Sequence, residues 1–280
     1  MDTKPKSRHG FSSKHPEIRT KKSYGVAICR FNLDANQYEM LLVKKRCTYN
    51  FVEFVLGHYA KTNESRLIYL FNGMTNAEKL SILSLDYGNI YYNVFLTNPD
   101  SLYFDDSTTI PDNLVKFKLY KRKFIDTFVR DDGVRLRLLI AKSKNIETIW
   151  EVPKGRKSNP QEKELSCAVR ETVEETGVSL AKYKLLLDIS PRRMTHTDMN
   201  TKYINYLYIG LIGNPKFIPR VSFGDKQQLS EVVNVAWMNL EQIKNIDNNN
   251  LHNFAKIVFK LLKKKEKVGK LARLHLNGPN

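Results

Sequence analysis

GRKSNPQEKELSCAVRETVEETGV, residues 155–178, sets Arg170, Glu171, Glu174 and Glu175 on one short segment. At about 100° of rotation per residue, the three glutamates fall within an arc of about 100° on an α-helix, with Arg170 flanking Glu174. Leu165, Val169 and Val173 project to another side. The spacing predicts a helix that buries one apolar stripe and holds three carboxylates at a common point, where like charges cost energy unless a cation lies among them. Hard divalent ions suit that role, because Mg²⁺ takes oxygen ligands at about 2.1 Å and usually shares them with substrate phosphates. Asn159, Pro160 and Glu162 read as N-cap, N1 and N3 of this helix, and Gly177 as its stop. Taken alone, an E-x-x-E-E stretch reads more readily as a solvated acidic face, and only its context reverses that preference.

The longer pattern resembles the Nudix hydrolase signature: a Gly, then a Glu, then Arg-Glu-aliphatic-x-Glu-Glu-x-Gly-aliphatic. Gly155, Glu162, Arg170, Glu171, Glu174, Glu175, Gly177 and Val178 match it, as does the seven-residue gap between Glu162 and Arg170. Two departures stand out: six residues rather than five separate Gly155 from Glu162, and Thr172 occupies a position that is usually aliphatic. Neither removes a carboxylate. TIWEVPKGRK and SCAVRE look like the mRNA-decapping branch of the family. YGVAICRFN, MLLVKKR and FVEFVLGHY look like the Nudix enzymes of large cytoplasmic DNA viruses, including poxviruses, African swine fever virus and giant amoebal viruses.

This resemblance implies an α+β protein, a Nudix α/β/α sandwich interrupted by an inserted, mainly helical subdomain. It implies a metal-dependent pyrophosphohydrolase that removes the 5′ cap of mRNA, releasing m7GDP and 5′-monophosphate RNA, with Mg²⁺ or Mn²⁺ as cofactor. Hydrolysis of diphosphoinositol polyphosphates would use the same metal and the same lysines, and is the second enzymatic reading. A third reading, an RNA-binding module without catalysis, has the retention of every signature acid against it. By the same resemblance Glu171, Glu174 and Glu175 divide metal ligation and base duties, and the Gly155 carbonyl is a further ligand. Glu231, immediately before VVNVAW, resembles the distal metal-binding glutamate of decapping enzymes. Asp198 is the reserve for that role, and Glu162 is a weaker metal candidate whose place near the helix start already gives it a reason to exist.

Arg170 is read as pinning the carboxylates, and Lys154 and Arg156 as phosphate or RNA contacts beside the metal loop. A methylated guanine is cationic and stacks on aromatic faces. Tyr49, Phe51 and Trp150 are the aromatic candidates, although core packing would explain each of them as well.

Forty-six Lys and Arg against 29 Asp and Glu give a net charge of +17, although the signature helix is acidic. A basic body around an acidic centre suits a long polyanion led to a phosphate-cleaving site. Generic solubility, anionic lipid or inositol polyphosphates would draw on the same charge. Three scattered cysteines without zinc spacing suggest a reducing compartment. No apolar run reaches the roughly 18 residues that span a bilayer, and the N-terminus lacks a signal-peptide core, so the expectation is a soluble, cytoplasmic protein without membrane insertion. Homodimer formation is compatible with the sequence.

Two β-rich runs, 24–32 and 38–46, read as a hairpin, and about a hundred residues then intervene before Trp150. A structureless loop of that length is implausible in a folded domain. The division expected is a basic tail at 1–22, a first Nudix part at 23–48, a helical RNA-binding insert at 49–125, and a second part at 126–280 ending in a basic helix. Within the insert, Thr75 and Glu78 form a capping-box pattern, while 90–96 reads as β-leaning or as buried helix. Residues 182–190, 202–213 and 232–238 read as strands, 191–200 as a polar loop, 247–250 as a loop and 251–265 as an amphipathic helix.

Overall fold

The computed structural model describes residues 19–96, 112–147, 149–198, 200–246 and 250–268. Two strands open it, β1 (Arg19–Asn32) and β2 (Gln37–Lys45), paired antiparallel through Cys29↔Met40 and Asn32↔Gln37. Asn36, with φ 48°, takes the left-handed conformation in the turn between them, which Asn tolerates better than most residues. Strand β1 begins earlier than expected: Arg19–Lys22, assigned to the tail, pair in parallel with Thr201–Ile204. The remainder of the expected tail lies outside the described residues.

A helical block follows. It comprises α1 (Tyr49–Val55), α2 (Glu64–Asn72), α3 (Asn76–Leu83), α4 (Tyr87–Phe95), α5 (Asp112–Phe124), a π-helical turn at 125–129 and α6 (Val134–Ala141). Thr75 and Glu78 do form a reciprocal capping box at the start of α3. Glu78 also accepts bonds from the N–H and hydroxyl of Thr48, the N-cap of α1, so one carboxylate fastens two helix starts. Of residues 90–96, the first six are helical rather than β, because Ile90, Tyr91 and Val94 recur at helical steps on a buried face, and Leu96 caps the helix in the left-handed conformation. Phe54, Phe71, Phe117, Phe124, Phe128, Leu136 and Leu139 belong to one core within this block. That core moves the expected boundary at 125: α6 belongs with the helices. Its basic sequence, VRLRLLIA, looks like surface, yet it still presents Leu136 and Leu139 inward.

The chain then completes the sheet. Strands β3 (Trp150–Glu151) and β4 (Lys154–Gly155) lead to α7 (Glu164–Thr176), then β5 (Tyr183–Leu185), β6 (Arg192–Asp198) and β7 (Thr201–Ile212). Helix α8 (Lys226–Glu231) precedes β8 (Val232–Met238), α9 (Leu240–Ile246) and α10 (Leu251–Lys267). Among the described residues eight strands make one mixed sheet along the path β3-β2-β1-β7-β5, with β4 on β1, β6 on β7 and β8 on β2. Two sequence readings are corrected here. Residues 192–198 are not loop but a largely polar strand, whose backbone pairs antiparallel with β7 from Arg192↔Leu207 to Asp198↔Thr201. Only 183–185 of the strand expected at 182–190 forms. The loop expected at 247–250 falls mostly outside the described residues.

Helix α7 covers one sheet face through Val26, Ile28, Leu41, Val43, Cys167 and Ala168. The other face meets α9 and α10 through Ala27, Leu42, Ile209, Phe254, Val258 and Leu262. The result is an α/β/α sandwich with a helical block, possessing its own core, between β2 and β3.

Candidate active site

The position of α7 is set by small and polar residues rather than by the aliphatic stripe expected from its sequence. Cys167, Ala168, Thr172, Glu175 and Thr176 are buried, whereas Val173 is 36% exposed. Thr172 is completely buried, and its hydroxyl accepts the Val26 N–H of β1 at 3.1 Å while donating to the Ala168 carbonyl at 2.7 Å. The departure from an aliphatic residue thus ties the helix directly to the sheet. Gly177, at φ 68°, ends the helix in the left-handed conformation that costs glycine least. The start differs from expectation. The helix begins at Glu164, while Asn159 organises the preceding turn by accepting from the Gln161 N–H through its side chain and the Glu162 N–H through its carbonyl. The extra loop residue is absorbed there, and Glu162 lies outside the helix with its carboxylate accepting from the Ser158 N–H at 2.7 Å.

The carboxylates do not converge on one point; two cations divide them. Arg170 donates to Glu162 at 2.8 Å, to Glu171 at 2.8 Å, to Glu174 at 3.0 Å and to the Arg156 carbonyl at 2.9 Å. The hydrogen bonds from Arg170 hold the Glu162 carboxyl down at about 2. Partial burial pushes Glu171 the other way, upward, against the pull of the same guanidinium. Glu175, 2% exposed, turns to the opposite side, where its oxygens accept from Lys45 Nζ at 2.9 Å and from the Lys154 N–H at 3.1 Å. Burial pushes its carboxyl up to about 7, although the Lys45 ammonium opposes that shift. Lys45 also reaches Glu231 at 3.1 Å, which brings the downstream glutamate into the same constellation. Desolvation on its own would lower Lys45, but Glu175, Glu151 and Glu231 outweigh it and keep the ammonium charged.

Among the described residues no three carboxylate, imidazole or thiol groups are already drawn together as for a metal ion. The donor set nevertheless fits a hard divalent cation, since Gly155, Glu171, Glu174, Glu175 and Glu231 offer oxygen only. The fit is tightest at Gly155. A Cβ there would meet the Glu171 carboxylate at 2.0 Å, so the absent side chain is what lets that carboxylate lie against the loop backbone.

The remaining expected residues fall on different sides. Lys154 pairs with Glu151 at 2.5 Å, and Glu151 accepts from the Tyr49 hydroxyl at 2.9 Å. Tyr49 therefore stands beside the acidic site, half exposed. Phe51 does not: it is 1% exposed within the helical core and has no face to offer a base. Trp150 is also misplaced, because β3 pairs it with Lys44 while Glu151 pairs with Val43, and strand alternation sends Trp150 to the opposite sheet face with α10. Asp198 accepts from the Tyr69 hydroxyl of α2, a contact with the helical block rather than with the glutamates.

Sequence reading missed two features. Lys45 follows Leu41 and Val43 on one face of β2, and a lysine closing a buried alternating face requires a carboxylate partner; that was the available signal. The other is an aromatic stack, His196 on Tyr203, with centroids 4.7 Å apart and planes at 2°. Lys21 lies 5.6 Å from the Tyr203 ring, and Arg66 covers Tyr69 at 5.1 Å, so this mouth between sheet and helices is aromatic and cationic together. Desolvation and the Lys154 ammonium lower the His196 pKa, which favours a neutral ring. Reading 191–200 as loop hid the cross-strand pair His196↔Tyr203 that creates the stack.

Comparison with known proteins finds the NUDIX domain family matching residues 122–261. An mRNA-decapping protein g5R of African swine fever virus (isolate Pig/Kenya/KEN-50/1950) is 30% identical over 246 residues, covering 86% of this chain and 94% of that protein. A putative mRNA-decapping protein of Acanthamoeba polyphaga mimivirus is 27% identical over 207 residues, covering 65% of this chain and 54% of that one. A solved C. elegans Ap4A hydrolase aligns over 89% of this chain and 98% of its own at 14% identity and a TM-score of 0.38.

Proposed function

Because the chain belongs to the NUDIX domain family, as the family match and the viral relatives establish, we propose that it is a metal-dependent hydrolase that removes the 5′ cap of mRNA. The bond cleaved is a phosphoanhydride, and the products are m7GDP and 5′-monophosphate RNA. The observation that carries this reading is the all-oxygen set of Gly155, Glu171, Glu174, Glu175 and Glu231, held by Arg170 on one side and by Lys45 and the Lys154 N–H on the other.

A bound Mg²⁺ or Mn²⁺ would neutralise phosphate oxygens and lower the pKa of an attacking water. The protein's own contribution is to hold the ligands ready. Arg170 fixes Glu171 and Glu174 from one side, while Lys45 and the Lys154 N–H fix Glu175 from the other. Burial raises the proton affinity of both Glu171 and Glu175, which suits either of them to accept a proton from the attacking water. Exposed Arg156 flanks the same loop and supplies positive charge for phosphate.

The cap base is assigned to the mouth formed by Tyr203, His196, Tyr69 and Asp198. The exposed His196 ring, backed by Tyr203 with Lys21 over the tyrosine, offers a π face to the cationic methylguanine, its lowered pKa favours the uncharged ring, and the Asp198 carboxylate supplies an acceptor for guanine N–H groups. The RNA body is assigned to the helical block, where Lys116, Lys121 and Arg122 of α5 are exposed. Cytoplasmic action follows from the location of capped message. No described helix is long and apolar enough to cross a membrane.

The test offers one preparation three substrates: cap-labelled RNA, free cap analogue and a diphosphoinositol polyphosphate. Release of m7GDP from capped RNA, lost in the Glu174→Gln, Glu175→Gln double variant while RNA binding persists, is the expected result. Turnover that survives the double change, or that is confined to the inositol substrate, overturns the reading.

A further inference from the structure

Lys45 is the last residue of β2, and its side chain, 12% exposed, ends between two carboxylates that approach from different elements. Its Nζ lies 2.9 Å from Oε1 of Glu175 on α7 and 3.1 Å from Oε2 of Glu231 at the end of α8. Glu151 on β3 adds a third negative charge to the same surroundings, paired for its part with Lys154 at 2.5 Å. The backbone around Lys45 is fixed, since its N–H donates to the Ile149 carbonyl and the next N–H, of Arg46, donates to the Glu231 carbonyl at 2.8 Å. Glu231 is therefore held by its main chain, and only its side chain is free to turn. Lys45 is the residue that gathers Glu175 and the half-exposed Glu231 to within one cation's reach of each other.

We infer that the Lys45 ammonium is the resident cation of the Glu175–Glu231 pair and that a divalent ion held by those carboxylates would take its place, which makes Lys45 a positioning residue that sets metal affinity by competition. The inference rests on the metal site described above. In the ion-free protein the lysine prevents two carboxylates from repelling one another, and so keeps Glu231 folded in toward Glu175. When the ion enters, it meets ligands already gathered, but it has to displace a charged group that satisfies them. A flexible four-carbon stem suits that exchange better than a planar guanidinium, which would grip both carboxylates through several donors at once.

The experiment uses the full chain and no substrate. Free Mn²⁺ is followed by its electron paramagnetic resonance signal during titration of the wild type, Lys45→Met, Lys45→Arg and Glu175→Gln, with melting curves to confirm that each is folded. Lys45→Met is expected to bind Mn²⁺ at least about fivefold more tightly than wild type, a modest competing ion pair having been removed, and Lys45→Arg more weakly. If Lys45→Met does not fold, Lys45→Gln, neutral and of similar reach, is judged by the same criterion. The unaltered protein gives an independent reading through lysine acetylation followed by mass spectrometry. Mn²⁺ should raise the labelling of Lys45 relative to exposed Lys256, because the displaced ammonium must turn to solvent.

Affinity that is unchanged or weaker in folded Lys45→Met or Lys45→Gln, or acetylation that Mn²⁺ leaves the same or lowers, overturns the inference. The metal site itself fails in a different way: wild type would bind no Mn²⁺, or Glu175→Gln would bind it as well as wild type does.

Discussion

Replacing Gly155 with alanine should separate catalysis from stability more sharply than any change to a glutamate. The new Cβ would stand 2.0 Å from one Glu171 carboxylate oxygen and 2.4 Å from the other. Ordinary contact begins near 3.4 Å, so the carboxylate has to retreat by about 1.4 Å. The retreating group is the end of a flexible side chain, and the Gly155 backbone is not in the left-handed region, so the fold should lose no more than about 1 kcal/mol. Metal coordination has no such latitude, because useful ligand distances lie within about 0.2 Å of ideal and a misplacement of about 1 Å at a reacting centre costs on the order of 100-fold. We expect turnover of capped RNA to fall by about 100-fold or more and Mn²⁺ affinity to fall with it, while the melting temperature moves by only a few degrees. The assay compares m7GDP release, Mn²⁺ titration and thermal melting on the same preparation. Turnover within about threefold of wild type, with the protein folded, would refute the placement of Glu171 against the loop as a requirement for catalysis.

Thr172→Val keeps shape but removes the acceptor of the buried Val26 N–H, so unfolding in denaturant should show a loss of about 1–3 kcal/mol; a loss below about 0.5 kcal/mol would mean that the N–H finds another partner. Glu162 has its folded pKa depressed to about 2 from 4.5, so its stabilisation is present above the higher value and disappears as pH falls toward the lower one. The melting-temperature gap between wild type and Glu162→Gln should accordingly be widest above about pH 5, narrow steadily below that and close only at about pH 2, and a gap independent of pH would contradict the Arg170 assignment. Tyr203→Ala should raise KM for capped substrate about 5- to 100-fold with kcat little changed, the equivalent of one lost stacking contact; an unaffected KM would move the base elsewhere. RNA affinity should drop steeply between low and physiological salt, and a flat response would count against phosphate contacts along α5.

The identity of the chemistry was legible in one segment. Gly155, Arg170, Glu171, Glu174, Glu175 and Gly177 stand at telling intervals, and helix geometry alone puts the three acids within an arc of about 100° and the stop where Gly177 takes φ 68°. The hairpin, β7, β8 and the amphipathic α10 were likewise visible, because each carries a period that only one regular structure satisfies. Local periodicity says nothing about which distant group a side chain will meet. It could not show that Arg170 and Lys45 would divide the glutamates between them, that Phe51 would point into the helical core, or that strand alternation would carry Trp150 to the far face of the sheet. It missed β6 because polar residues at a sheet edge gain their strand conformation from pairing with β7, not from their own pattern. Sequence thus determined which groups are present and which helix bears them, whereas tertiary packing decided which charges are neighbours. The physical reason is that ion pairing and burial depend on distances between residues as far apart in the chain as Lys45, Glu175 and Glu231, and only the closed sheet brings those together.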